Sequence, residues 1–322
     1  MTDLAPPMTT DAASAGSEAP TRGQVTEPAA GRSFSFGDRL GQLGVLAGFL
    51  AFWYVAPLIF LSGREFLVPK PHDVFYVSFW EDVTGRDLWE YVKLVVSDIV
   101  PFLDLGADPD TNVIFIKNMV ALWLTTKVAL VGLAFAIVLG GLVAMLMSQA
   151  KWVEKAFFPY LIALQAVPIL ALVPLIGVIW GFGFNARVIV CVIIAFFPIV
   201  ANSLFGLLSA KRAHHELFTL HGAGPVTRLW KLMLPAALPA AFTGFRIAAG
   251  LSVIGAIVGD FFFRRGEAGI GSFLDAYASR LQYEELYGAI ILSSVLGIVV
   301  FAFFGWLARR VTGSWHSERS AG

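Results

Sequence analysis

Charge is what this sequence has least of. Only 14% of its 322 residues are Asp, Glu, Lys or Arg, against 57% hydrophobic, and its mean hydropathy is +0.74. Soluble domains average about 25% charged residues, so a chain this poor in charge cannot cover itself with polar surface. It reads as a membrane protein. Acidic and basic residues balance at 23 each, so there is no basic excess of the kind nucleic-acid binding uses, and no nucleic-acid partner is expected. Cysteine is nearly absent. Cys191 stands alone inside an apolar run, which excludes an intrachain disulfide and reads as a buried, inert thiol.

Catalytic patterns are missing as well. There is no His-Glu-x-x-His and no Gly-x-Ser-x-Gly, and none of His72, His214, His215, His221 and His316 falls inside a hydrophobic run. No catalytic residue, metal ligand or cofactor is expected. Nor is there a Gly-x-x-x-x-Gly-Lys-Ser/Thr, so the chain cannot hold ATP on a P-loop. If ATP drives it, the ATPase is another polypeptide.

What is present is a series of long apolar runs. A spanning helix needs about 20 mostly apolar residues. Six runs qualify: Gly41–Leu61, Met119–Met147, Phe158–Gly181, Arg187–Leu208, Ala240–Phe262 and Leu286–Ala308. The expected fold is therefore all-α, a polytopic membrane protein with six transmembrane helices spread over residues 40–312. Residues 1–35 are rich in Ala, Pro, Thr, Ser and Gly and are expected to be a disordered tail. They lack the apolar core of a cleavable signal peptide. Residues 313–322 are expected to form a second tail. Six spans place both termini on one side. The Lys151–Lys155 turn, the 209–239 loop with Lys211, Arg212, Arg228 and Lys231, and the Arg309-Arg310 end make that side the cytoplasm. Arg264-Arg265 alone argues the other way.

The loop at 62–118 then lies outside. Its Leu88–Val96 piece reads as an amphipathic helix along the outer surface, and the acidic, turn-rich Pro101–Asn112 stretch contacts either the lipid interface or an external partner. Small residues recur at every fourth position in two spans: Gly132, Ala136, Gly140, Ala144 and Ser148, then Gly244, Ala248, Ser252, Ala256 and Asp260. In lipid, close backbone approach through such faces is what packs helices. Ionisable residues within the spans are few, among them Lys127, Arg246 and Asp260. Lys127 and Arg246 sit near enough to an end to snorkel and read as anchors, whereas Asp260 leaves a functional and a structural role both open. No internal repeat shows.

The long polar interval Ser209–Pro239 carries the chemistry that remains. His214–His221 is expected to form two helical turns, with Glu216 in the first, where its charge suits the macrodipole. Gly222 and Gly224 end that helix, and Pro225 starts a second one. Val226, Leu229, Trp230 and Met233 fall on one apolar face of the second. Pro235 and Pro239 are expected to bend the chain into the next span. The second helix reads as an elbow resting on membrane lipid, and the first as a contact for a protein partner.

Glu216, Gly222, Leu232, Leu234 and Pro235 resemble the coupling-loop motif of binding-protein-dependent ABC importer permeases, Glu-Ala-Ala-x3-Gly-x9-Ile-x-Leu-Pro. Leu217-Phe218 replace the alanine pair, and Leu232 replaces the isoleucine. The resemblance covers most of residues 40–312. It is similar to the nitrate/sulfonate/taurine branch in Val68–Pro71, Phe197–Asn202, Phe242–Ala248 and Gly269–Gly271, while Gly255–Phe263 and His215–His221 resemble permeases of riboflavin or pyrimidine-vitamin uptake. The resemblance implies a type I ABC importer permease in a bacterial inner membrane, working as a homodimer with a separate ATPase subunit and an extracytoplasmic solute-binding protein. It implies Glu216, Leu217, Phe218, Gly222, Leu232 and Pro235 as the ATPase-coupling residues. Asn202, Ser252 and Asp260 are the expected substrate-path residues. The competing expectation is a secondary carrier or channel driven by an ion gradient.

Overall fold

The structure, a computed structural model, describes residues 36–60, 65–81, 85–99, 113–263 and 267–316. The expected tail at 1–35, the Pro101–Asn112 stretch and Arg264-Arg265 lie outside these residues. The chain divides into units at 1–45 and 46–322, and of the first only the opening of helix α1 (Phe36–Phe60) is described. Every described element is helical. After α1 come α2 (Pro71–Phe75), α3 (Gly85–Ile99), α4 (Ile114–Ser148), α5 (Lys151–Ala166), α6 (Ile169–Trp180) and α7 (Phe184–Leu208). Then follow α8 (Arg212–Leu220), α9 (Pro225–Arg228), α10 (Leu234–Phe262), α11 (Ile270–Ser279) and α12 (Tyr283–His316).

Among the described residues five helices are long and apolar enough to cross a membrane: Leu40–Phe60, Ile114–Ser148, Phe184–Leu208, Pro225–Phe262 and Tyr283–Gly313. The sixth expected span, Phe158–Gly181, is built differently. It is a bent pair, α5 and α6, meeting at 94°. The cause is local: Pro168 crowds the backbone before it, and Val167 takes the extended conformation (φ −69°, ψ 127°) that a residue before proline prefers. At the other end, α12 runs on to His316, into the segment expected as a tail at 313–322.

The bundle is centred on α7 and α10, the most extensively paired helices, with α4 packed on both and α12 on α10. Leu133 and Ala136 of α4, Cys191, Ala195 and Ile199 of α7, and Ala248, Val253 and Ala256 of α10 form one buried cluster. The small residues make this possible. A side chain at Gly132 would strike Cys191, and one at Gly244 would come within 2.9 Å of the Pro198 carbonyl. Lipid tails are as apolar as Leu, so this close van der Waals contact, not expulsion of water, holds the helices together.

The amphipathic reading of Leu88–Val96 matches α3. Its Asp98 holds both Lys127 Nζ (2.8 Å) and Trp123 Nε1 (2.6 Å), which ties α3 to α4. Lys127 is thus paired with a carboxylate outside the spans. Arg246 lies over the Phe301 ring, 3.9 Å from its centroid, a cation–π contact that steadies a cation inside a span.

Candidate functional site

The polar interval between α7 and α10 builds the feature that stands apart from the bundle. Lys211, extended at φ −62° and ψ 143°, precedes α8, and α8 buries none of its side chains. Glu216 sits in the second turn, because the helix begins at Arg212 rather than at His214. It accepts a hydrogen bond from Arg212 Nε at 2.9 Å, in place of the expected first-turn interaction with the helix dipole. Both side chains are exposed, and such a surface pair adds little stability.

The end of α8 is sharply defined. The Ala223 N–H donates to Phe218 O (2.9 Å), and the Gly222 N–H donates to Thr219 O (3.0 Å). These are the two bonds of a Schellman cap, and the cap requires a left-handed residue. Gly222 supplies it at φ +66°. The turn is then pinned from the next helix, since Arg228 Nη2 donates to Thr219 Oγ1 (3.2 Å) and to the Ala223 carbonyl (3.3 Å). The result is a short rigid helix on a fixed turn, presenting Leu217 (51% exposed) and Leu220 (85% exposed). Phe218 is half-buried.

The second helix departs from expectation in two ways. Pro225 does occupy its first turn, but Leu229–Met233 form a wider π-helical turn. That turn shifts the angular register, so Val226 and Trp230 stay exposed while Met233 is buried with Leu204 and Ala237 and Leu229 packs against them. The expected bend into the next span at Pro235 and Pro239 is not made. Residues 225–262 form one continuous 38-residue helix, and Pro235 falls in the first turn of α10. Leu232 and Pro235 both line a cleft at the base of α10.

Of the three expected path residues, Ser252 and Asp260 are buried between helices, whereas Asn202 is half-buried. Asn202 is half-buried, its Nδ2 donates to Pro198 O (2.8 Å), and its Cβ lies against Gly244. Ser252 is fully buried and donates to Ala129 O at 2.7 Å. Asp260 is fully buried beside Arg187, whose Nη1 lies 3.0 Å from its Oδ1, and Thr125 Oγ1 donates to its Oδ2. Arg187 is not among the expected site residues. Its signal was present: consecutive antiparallel spans place Arg187, at the start of one, level with Asp260, near the end of the next.

The comparisons with known proteins agree on what kind of chain this is. Residues 136–313 match the family of the binding-protein-dependent transport system inner membrane component. The chain is 37% identical over 178 residues to the formylaminopyrimidine transport permease protein ThiX of Halalkalibacterium halodurans, covering 55% of this chain and 70% of that one. It is 30% identical over 268 residues to the bicarbonate transport system permease protein CmpB of Synechococcus elongatus, covering 83% and 87%. Against the nitrate import permease protein NrtB of Leptolyngbya laminosa it is 31% identical over 57% of this chain and 62% of that one. Among solved structures, a chain of the MetNI methionine ABC transporter superposes with a TM-score of 0.55 at 19% identity, covering 63% of this chain and 99% of that chain. This last likeness is one of fold. With the family matched over more than half its length and a relative matched over most of it, the chain belongs to the inner-membrane permease components of binding-protein-dependent ABC importers.

Proposed function

We propose that α8 is the surface on which a separate ATPase subunit pushes, and that α7 and α10 carry the push into the membrane. The observation that carries this reading is the exposure of Leu217 and Leu220 on a helix that buries nothing, fixed to its neighbour through Gly222 and Arg228. An apolar face held rigidly in solvent is costly unless a partner covers it. Glu216, Leu217, Phe218 and Gly222 form the contact, and Leu232 and Pro235 pass the displacement to the base of α10. Two copies of the chain form the pore. The Lys/Arg-rich end, with both termini, faces the cytoplasm, and an external binding protein delivers the solute at the opposite end.

Cys191 is the only cysteine and is buried, so Leu220→Cys adds a single accessible thiol. In membranes holding the complete transporter, a thiol cross-linker should join that residue to the ATPase, and ATP should change the yield. A yield no greater than that of an exposed cysteine elsewhere on the same face contradicts the proposal.

For the solute we propose a flat heteroaromatic vitamin precursor. Supporting this are the 37% identity to a formylaminopyrimidine permease and the Phe261-Phe262 pair, both side chains partly exposed at the end of α10. The partner binding protein should gain thermal stability with hydroxymethylpyrimidine or riboflavin. A gain with nitrate or taurine alone would overturn the assignment.

A further inference from the structure

At the loop end of the bundle, beside α8, lies a cleft of about 440 Å³. It is lined by the last residues of α7, the first turns of α10 and the final turns of α12. Phe205, Leu238 and Val311 make it apolar, while Lys211, His214 and Lys231 supply nitrogen donors. None of its lining residues is acidic. The acid nearest in sequence, Glu216, is engaged by Arg212, and among the described residues no carboxylate pairs with Lys211 or Lys231. Arg310, two residues before the α12 part of the lining ends at Thr312, lies near the Trp306 ring, 5.7 Å from its centroid, an aromatic–basic pairing found at membrane surfaces.

We propose that this cleft binds the phosphate of an anionic glycerophospholipid, and that the lipid seats α8 against the bundle. Three features fix the class of ligand. The lysines are exposed at the ends of apolar helices, where long basic side chains meet lipid phosphates. Basic pockets between helix ends take such headgroups. The apolar lining offers acyl chain a surface that a free inorganic anion would leave uncovered. The consequence for function follows from where the donors sit. Lys211 immediately precedes α8 and His214 lies in its first turn, while Lys231 lies in the π-helical turn that leads into α10. One phosphate bridging them ties the otherwise unpacked helix to the helix it is proposed to drive. The lipid site itself stands independently of that coupling role, because it rests on the cleft alone.

The test uses the purified full-length chain in detergent and native mass spectrometry, with phosphatidylglycerol and phosphatidylcholine offered at equal concentration. Phosphatidylglycerol should be retained preferentially. The Lys211→Ala/Lys231→Ala variant should lower that preference by roughly tenfold. A Lys151→Ala/Lys155→Ala control, which removes the same charge from exposed positions outside the cleft, should leave it within about twofold. Equal retention of the two lipids, or equal losses in both variants, overturns the proposal. Displacement of the lipid by millimolar inorganic phosphate would make this a site for a free anion and overturn it likewise. Unchanged lipid retention with lost co-purification of the ATPase would assign the lysines to the protein partner.

Discussion

Arg187 Nη1 lies 3.0 Å from Asp260 Oδ1, with both side chains buried, and joins the start of α7 to the end of α10. The pair is one part of a larger set. Arg187 also donates to the carbonyls of Glu267 (2.9 Å) and Phe263 (2.9 Å). Thr125 of α4 bonds the other carboxylate oxygen and accepts from the Ile270 N–H at 2.9 Å. Ser272 Oγ donates to the Asp260 carbonyl at 2.8 Å. Four elements, α4, α7, α10 and α11, therefore meet at one carboxylate. Gly269 and Gly271 approach it so closely that any side chain at either would strike Asp260. Removing one partner strands a buried charge, which costs about 3–5 kcal/mol, while replacing both with apolar residues is far milder. Arg187→Met and Asp260→Leu should each lower the melting temperature in detergent markedly, and the double variant should recover most of the loss. Additive losses would contradict this reading.

Two Schellman caps among the described residues differ in the residue at their left-handed position. Gly222 holds it at φ +66° after α8, and Leu281 holds it at φ +61° after α11, where Gln282 N–H donates to Tyr277 O (3.0 Å) and Leu281 N–H to Ala278 O (3.3 Å). A side chain in this region costs roughly 1–2 kcal/mol. Leu281, which is 63% exposed, should therefore tolerate glycine. Leu281→Gly is expected to stabilise the protein by up to about 1 kcal/mol, and Gly222→Ala to destabilise its turn by a similar amount. Chemical denaturation in detergent measures both.

Tyr277 donates to Asn118 Oδ1 at 2.9 Å from a buried position on α11. Burial, with a smaller contribution from Glu285, pushes its phenol up to about 12. A raised phenol means that the folded protein favours the neutral form. Its contribution to stability is fully present below the ordinary value near 10 and is lost as pH rises from there through about 12. Burial raises the Tyr91 phenol as well, so ultraviolet titration should show a late-ionising tyrosine component, and Tyr277→Phe should shrink that component without removing it. A normal phenolate in the wild-type chain contradicts the buried bond.

The bundle was largely legible in the sequence because lipid constrains it so strongly. Apolar runs of spanning length and rows of small residues such as Gly244, Ala248, Ser252 and Ala256 follow directly from the need to satisfy backbone groups and pack without water. What escaped was local. Pro168 sits inside a run whose composition says span, and composition cannot show that its predecessor turns extended and breaks the helix at 94°. The π-helical turn at Leu229–Met233 inserts a register shift that a 3.6-residue period does not contain, so Val226 and Met233 part company. Arg187 was hidden by its place at the edge of a span, where a cation reads as a snorkelling anchor. Only the fold brings it against Asp260.

The proposed link to the ATPase is α8, and Gly222 fixes the turn that ends it. Proline there cannot take φ +66° and also removes the N–H that bonds Thr219 O. Membrane vesicles carrying the complete transporter with Gly222→Pro should lose ATP-dependent uptake, while the permease still inserts. Uptake at the wild-type rate, with insertion intact, would contradict the claim that this turn carries the driving force.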